Sequence, residues 1–216
     1  LSMENRNFEA AINYALARKY VLKNLKITDY EPFIKELNSI VCDGLDELAG
    51  AYRTDEKIIS GTYYTPPKPS EIENRMKEFC NHLNMIMSQK EENPIMIASK
   101  AHCELIKIAP FNSYNKSVAR LLTSHILLNT IGRDIDFSNF DIQHYINSTV
   151  IYCNTNEISF FYDFLNANLN GADIAKTSSV KMPEDIENEQ NLFAEQQLLK
   201  NDCNIEQQAS EIDMSF

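Results

Sequence analysis

No run of apolar residues in this chain approaches the roughly 18 needed to span a membrane. The start, LSMENRNFEA, lacks the charged-then-apolar layout of a signal peptide. Five scattered cysteines (Cys42, Cys80, Cys103, Cys153, Cys203) form no CxxC and no Cys/His cluster. Neither a zinc site nor a disulfide framework is indicated, and no metal ligand set is expected. Reduced thiols in a cytoplasmic protein are the expectation, with delivery into a host cell left open. The chain also lacks a basic stripe, so nucleic acid and anionic membrane surfaces are not expected partners. No internal repeat is visible.

What is present is a 216-residue chain that is 44% apolar, enough to bury a core in one domain plus appendages. The net charge of −11 is uneven. From Lys181 onward, nine acidic residues face only Lys181 and Lys200, a net of −7, which leaves −4 for the preceding 180 residues. The acidic end is expected to be a solvated appendage or a partner-binding segment.

Helical spacing dominates. Phe8, Ala11, Ile12, Ala15, Leu16, Tyr20 and Leu22 make the apolar face of a first helix. A second helix starts after Thr28 or Asp29, with Phe33, Ile34, Leu37 and Ile40 inward, and ends near Gly44. The stretch AYRTDEKIISGTYYTPPKP, from Ala51 to Pro69, is rich in β-branched and aromatic residues and reads as a short hairpin or extended flap. Ser70 and Glu73 make a capping box for a helix to about Ser88. Further helices are expected from Pro94, ended by Pro110, and over Asn115–Asn129, Asp141–Cys153 and Asn156–Leu169. One more is expected around Leu192, Leu198 and Leu199, with a disordered last dozen residues.

The most informative stretch is Ile108 to Arg120, IAPFNSYNKSVAR. It resembles the signature of the Fic/DOC family, H-P-F-x-[D/E]-G-N-G-R-x-x-R. Pro110, Phe111, Asn115 and Arg120 match. The histidine position is Ala109, the acidic position Ser113, the two glycines Tyr114 and Lys116, and the first arginine Ser117. Gly50-Ala51-Tyr52-Arg53-Thr54, Ile59 to Tyr63 and Thr65-Pro66-Pro67 are similar to the family's flap, and Ile72 to Asn84 to the helix after it. The resemblance covers roughly residues 30–170 and implies a mainly α fold, a Fic-type helical bundle with a short β-hairpin flap. It suggests an N-terminal helix over 1–30, a Fic-like core over 31–170 and an acidic helix and tail over 171–216.

Members of that family usually transfer AMP from ATP to a hydroxyl of a target protein. The histidine takes the hydroxyl proton, and the acidic residue holds magnesium against the phosphates. The resemblance therefore implies ATP and Mg²⁺ as cofactors and a protein target aligned along Ile58, Ile59, Ser60, Gly61 and Thr62 by strand addition. Each altered position bears on that chemistry. A placed base contributes typically about 10²–10⁴ in rate, and Ala109 cannot accept a proton. His102 lies seven residues earlier on a helix, about 10 Å away at 1.5 Å per residue, so it is expected to be a packed, hydrogen-bonded histidine. Ser113 lacks the charge that Mg²⁺ prefers. Tyr114 replaces a glycine where backbone approaches phosphate, and Ser117 removes a guanidinium. Asn115-Lys116 is similar to the N-K variant of Doc-type toxins, which phosphorylate their target but keep the histidine. Asn115, Lys116 and Arg120 remain candidate phosphate ligands at a helix N-terminus.

The expectation is thus a Fic-fold protein with no catalytic residues, degenerate at Ala109, Ser113, Tyr114 and Ser117 and retained to bind a protein partner or nucleotide. Two alternatives stand beside it. One is an active, atypical transferase of AMP, phosphate or another nucleotide-derived group, using a different base. The other is a structural subunit of a heteromer.

Overall fold

The computed structural model describes residues 3–137 and 140–170. The expected helix around Leu192 and the final dozen residues lie outside the described residues. Seven helices are described: α1 (Met3–Lys23), α2 (Tyr30–Cys42), α3 (Pro69–Gln89), α4 (Pro94–Ile108), α5 (Asn115–Ile131), α6 (Ile142–Thr155) and α7 (Ser159–Asn170).

The helix starts follow local chemistry. Asp29 caps α2 by accepting from Glu31 N, and Asn93 caps α4 by accepting from Ile95 N and Met96 N. Pro94 occupies the first turn, where its missing N–H costs nothing. The third helix begins earlier than expected, because Pro69 fits its first position. Glu71, rather than Glu73, closes the cap by accepting from Lys68 N at 2.8 Å. The expected capping box of Ser70 and Glu73 is therefore displaced by two residues.

Helices α4 and α5 pair most extensively and form the centre, with α1, α2 and α3 on one side and α6 and α7 on the other. Ile97, Ala98, Leu105 and Ile108 of α4 meet Val118, Leu121, Leu122 and Ile126 of α5 in one continuous core. An aromatic cluster of Phe161, Phe164 and Tyr145 closes the far side.

The first helix turns the opposite way from its expected apolar face. Phe8 is 69% exposed, Leu16 52% and Leu22 52%. Ala11, Ile12 and Ala15 are also exposed, and of the expected set only Tyr20 turns toward the core. The buried side carries Asn13, Tyr14, Ala17 and Val21. This choice satisfies backbone groups. Asn13 Nδ2 donates to Asp43 O at 2.8 Å, at the end of α2 where carbonyls lack helical partners. Tyr20 stacks on Phe33 with centroids 5.8 Å apart, and small Ala17 allows close approach. α1 thus has two apolar faces, and the one with polar complements is the one buried.

Residues 51–68 run as an extended, turn-containing segment, with no strand among the described residues. The expected hairpin has its turn at Ser60-Gly61 but no ladder. Thr62 closes that turn by donating its N–H and its hydroxyl to Ile59 O, at 3.2 and 2.9 Å.

Candidate functional site

α4 ends at Ala109, which takes the left-handed conformation with φ 46° and is only 2% exposed. Tyr114 caps α5 in the same conformation, with φ 61°. Two non-glycine residues in this region cost of order 1 kcal/mol each, so surrounding contacts must hold them.

Those contacts are numerous. Asn115 staples the loop: its Oδ1 accepts from Phe111 N at 3.0 Å and its Nδ2 donates to Phe111 O at 2.8 Å. Asn38 donates to Ser113 O at 3.1 Å and accepts from Gly50 N at 2.9 Å, joining α2, flap and motif. Gly50 has φ 78°, and a Cβ there would sit 3.1 Å from Ser39 Cβ, which explains the glycine. Asp46 accepts from Asn112 Nδ2, from the Ser113 side chain and from Leu48 N. Although burial opposes ionisation, these bonds hold its carboxyl below its ordinary range.

Arg53 is the main tie between flap and motif. It is 3% exposed, and its guanidinium donates to Ala109 O at 2.7 Å, Asp55 O at 2.6 Å and Pro67 O at 2.6 Å. Its own N–H donates to Pro110 O at 2.9 Å. No carboxylate forms an ion pair with it among the described residues, so three carbonyl dipoles take that place. Tyr52 completes the anchor by donating to Glu31 and packing on Phe111.

A cavity of about 490 Å³ opens beside this loop. Ala109, Tyr114, Asn115, Lys116, Ser117 and Arg120 border it from the motif, and Lys57, Ile58, Ile59 and Ser60 from the flap. The structure therefore brings both groups of expected site residues together, with three exceptions. Ser113 does not border the cavity, because its hydroxyl bonds Asp46. Gly61 and Thr62 form the turn and do not line it either. Asn115 borders the space, but its amide is already committed to Phe111.

The charges left facing the cavity are cationic. Lys116 is exposed at the first turn of α5. Arg120 donates to Ser117 Oγ at 3.1 Å and lies over the Tyr14 ring at 5.7 Å, so α1 braces it from behind. Lys57 donates to Asn112 O, and burial with the nearby Arg53 charge lowers its ammonium pKa below the ordinary value. None of the lining residues is Asp, Glu, His or Cys. No cluster of three such side chains fit for a metal occurs among the described residues. The donor set suits an anion and does not fit Mg²⁺.

His102 is no substitute for the missing histidine. It is fully buried, bonded to Thr123 Oγ1 at 2.9 Å and Tyr145 OH at 3.0 Å, and stacked on Phe161. Burial pushes its pKa down to about 3. A larger hollow of about 620 Å³ lies between α3, α4 and α6, and touches the motif stretch at Ile108. Its charged side chains already have partners: Arg75 pairs with Glu78, Lys100 with Glu92, Lys107 donates to Asn156 and Glu104 accepts from Tyr152, so the smaller cavity is the better candidate.

Comparison with known proteins agrees with this geometry. The Fic/DOC family model matches residues 27–127. The chain is 30% identical over 118 residues to a protein adenylyltransferase Fic of Drosophila willistoni. Over that stretch the chain is similar to the Fic/DOC family. The match to the fly protein covers 52% of this chain and 23% of the fly protein, so the chain spans about a quarter of that relative's length. Among solved structures, a Fic domain containing signaling protein from Bacteroides thetaiotaomicron superposes with TM-score 0.67 at 20% identity, covering 82% of this chain and 76% of the other. The BepC effector of Bartonella tribocorum, solved with bound AMPPNP, gives TM-score 0.65 at 14% identity, covering 76% and 84%. Fic-1 of C. elegans gives 0.62 at 19% identity, covering 83% and 54%.

Lys57, Tyr14, Asn38 and Asp46 were not legible as site residues in the sequence. Lys57 immediately precedes the flap positions singled out, which is the one local hint. The others reach the motif from distant helices and loops, and no spacing announces that.

Proposed function

We propose that this Fic-fold protein does not transfer AMP but holds a phosphorylated ligand in the motif cavity and presents its flap to a protein partner. The observation that carries the proposal is the lining itself. It offers two lysines and an arginine around a helix N-terminus, and no carboxylate or imidazole. A hydroxyl nucleophile needs a proton acceptor in the transition state, and Ala109 supplies none. Anion binding needs no such group: the free N–H groups of α5, Lys116 and Arg120 suffice. A structural neighbour that holds AMPPNP supports a nucleotide as the ligand class. On the flap, Ile58 is 57% exposed in an extended segment without strand pairing, a form suited to strand addition by a partner.

Isothermal titration with ATP tests the binding half. ATP should bind, and Lys116→Ala should weaken it about tenfold while leaving the melting temperature unchanged, as expected for one charge-assisted contact. No binding, or binding indifferent to Lys116→Ala and Arg120→Ala, would refute it. One observation favours a second reading, an atypical transferase: Lys57 is an amine with a lowered pKa at the cavity wall. Activity abolished by Lys57→Met would decide for that reading.

A further inference from the structure

We propose that the outward face of α1 is a self-association surface, on which a second copy of this chain packs its own α1 antiparallel about a two-fold axis near Ala15. The face is apolar from Phe8 to Leu16 and resumes at Leu22, with the exposed Lys19 between them. At 100° per residue, Phe8, Ala11, Ile12, Ala15, Leu16 and Leu22 fall on one side of the helix, opposite the buried Asn13, Ala17 and Val21. Phe8, Ile12, Leu16 and Leu22 are 69%, 40%, 52% and 52% exposed, and no described element covers them. From Phe8 to Leu22 the stripe runs about 21 Å at 1.5 Å per residue, enough for one helix–helix seam. Ala11 and Ala15, at its middle, permit close approach of a second helix axis.

The charges on the same helix select the occupant. Glu9 lies at one edge of the stripe near its start, and Lys23 lies toward the same edge near its end. No ion pair within the described fold engages either. A two-fold axis perpendicular to two antiparallel helices sets each edge against the same edge of the partner, with direction reversed. Glu9 of one copy then meets Lys23 of the other, twice by symmetry, and Phe8 meets Leu22. Parallel pairing would set this edge against the opposite edge of the partner and leave Glu9 and Lys23 about 21 Å apart along the seam. Lys19, within the stripe, can lay its methylenes across Ile12 of the second copy and keep its ammonium in water. Arg18, on the other edge, is held by Asp134 at 2.6 Å and takes no part. A single helix seam is small, so association should be on the order of micromolar rather than tighter.

Sedimentation velocity on the full chain from roughly 1 to 200 µM tests this, a range that brackets such an affinity. A concentration-dependent dimer is expected. Ile12→Glu with Leu16→Glu should make it monomeric with the melting temperature unchanged, since both side chains face solvent in the monomer. Glu9→Lys and Lys23→Glu should each weaken the dimer about two- to tenfold, and their combination in one chain should restore it. Ala15→Cys in a Cys203→Ser background should oxidise to a disulfide-linked dimer, because the four described cysteines are buried. A chain that stays monomeric throughout the range overturns the proposal. So does a dimer indifferent to Ile12→Glu with Leu16→Glu, or one that the combined charge reversal fails to restore.

Discussion

Two sets of side chains meet along residues 109–120. One turns into the protein: Phe111 is fully buried, Asn115 staples its backbone, and Arg53 and Asn38 bind the loop carbonyls. The other borders the cavity: Ala109, Tyr114, Lys116 and Ser117. The first set agrees with the family pattern, Ser113 apart; among the motif residues bordering the cavity Asn115 and Arg120 agree with it, and these four depart. The contrast shows where the two demands on the motif separate. Backbone groups buried in the loop must be satisfied whatever the cavity does, because each unpaired one costs about 1–3 kcal/mol. A lining residue carries no such obligation to the fold. Even the left-handed turn at Ala109 persists, held by Arg53 on its carbonyl.

Variants in the first set should therefore unfold the protein, and variants in the second should not. The largest effect is expected for Arg53→Met, which strands three carbonyls and frees the flap. A loss of at least about 3 kcal/mol in urea unfolding is expected. A loss below 1 kcal/mol would show that flap and motif stand independently.

Acid should act next most strongly. His102 has a folded pKa of about 3, lowered by burial, against an ordinary 6.5. Above pH 6.5 both folded and unfolded chains keep it neutral. As pH falls below 6.5 only the unfolded chain takes up the proton, so stability drops by about 1.4 kcal/mol per pH unit until near pH 3. His125 and His144 are lowered in the same sense, also by burial, and add to this slope. Denaturant midpoints between pH 7 and 4 should fall steadily, and His102→Gln should flatten that fall. An unaltered slope in the variant would remove His102 from this role.

Asn115→Ala should cost about 1–2 kcal/mol, since it unpairs Phe111 N and O together. Lys116→Ala, one residue later but exposed, should stay within about 0.5 kcal/mol of wild type by the same measurement. Equal effects at the two neighbours would erase the distinction between scaffold and lining. A small shift of the opposite sign belongs to Ala109→Gly: relief of the left-handed alanine exceeds the added chain entropy only slightly, giving at most about 1 kcal/mol of stabilisation.

Most helices were legible because their starts are local chemistry: Asp29, Asn93 and Pro94 act on the next turn. The motif and Arg53 were legible as a resemblance. α1 was misread because periodicity reports that a face is apolar, not which of two apolar faces finds partners. Asn13 decided it by reaching Asp43, 30 residues away. The flap's alternating β-branched residues suggested strand pairing, but the segment is held from one side by Arg53 and Thr62 rather than by a second strand. The bracing of Arg120 by Tyr14 joins residues over a hundred positions apart, and no sequence spacing encodes it.

Transfer itself is the most direct test of the claim that the scaffold has outlasted the chemistry. The purified chain would be incubated with ATP labelled at the α-phosphate, Mg²⁺ and a cell lysate, beside a Lys57→Met variant. No labelled protein above background is expected from either. Robust labelling by the wild-type chain that disappears in Lys57→Met would contradict the claim and identify a working base in the cavity.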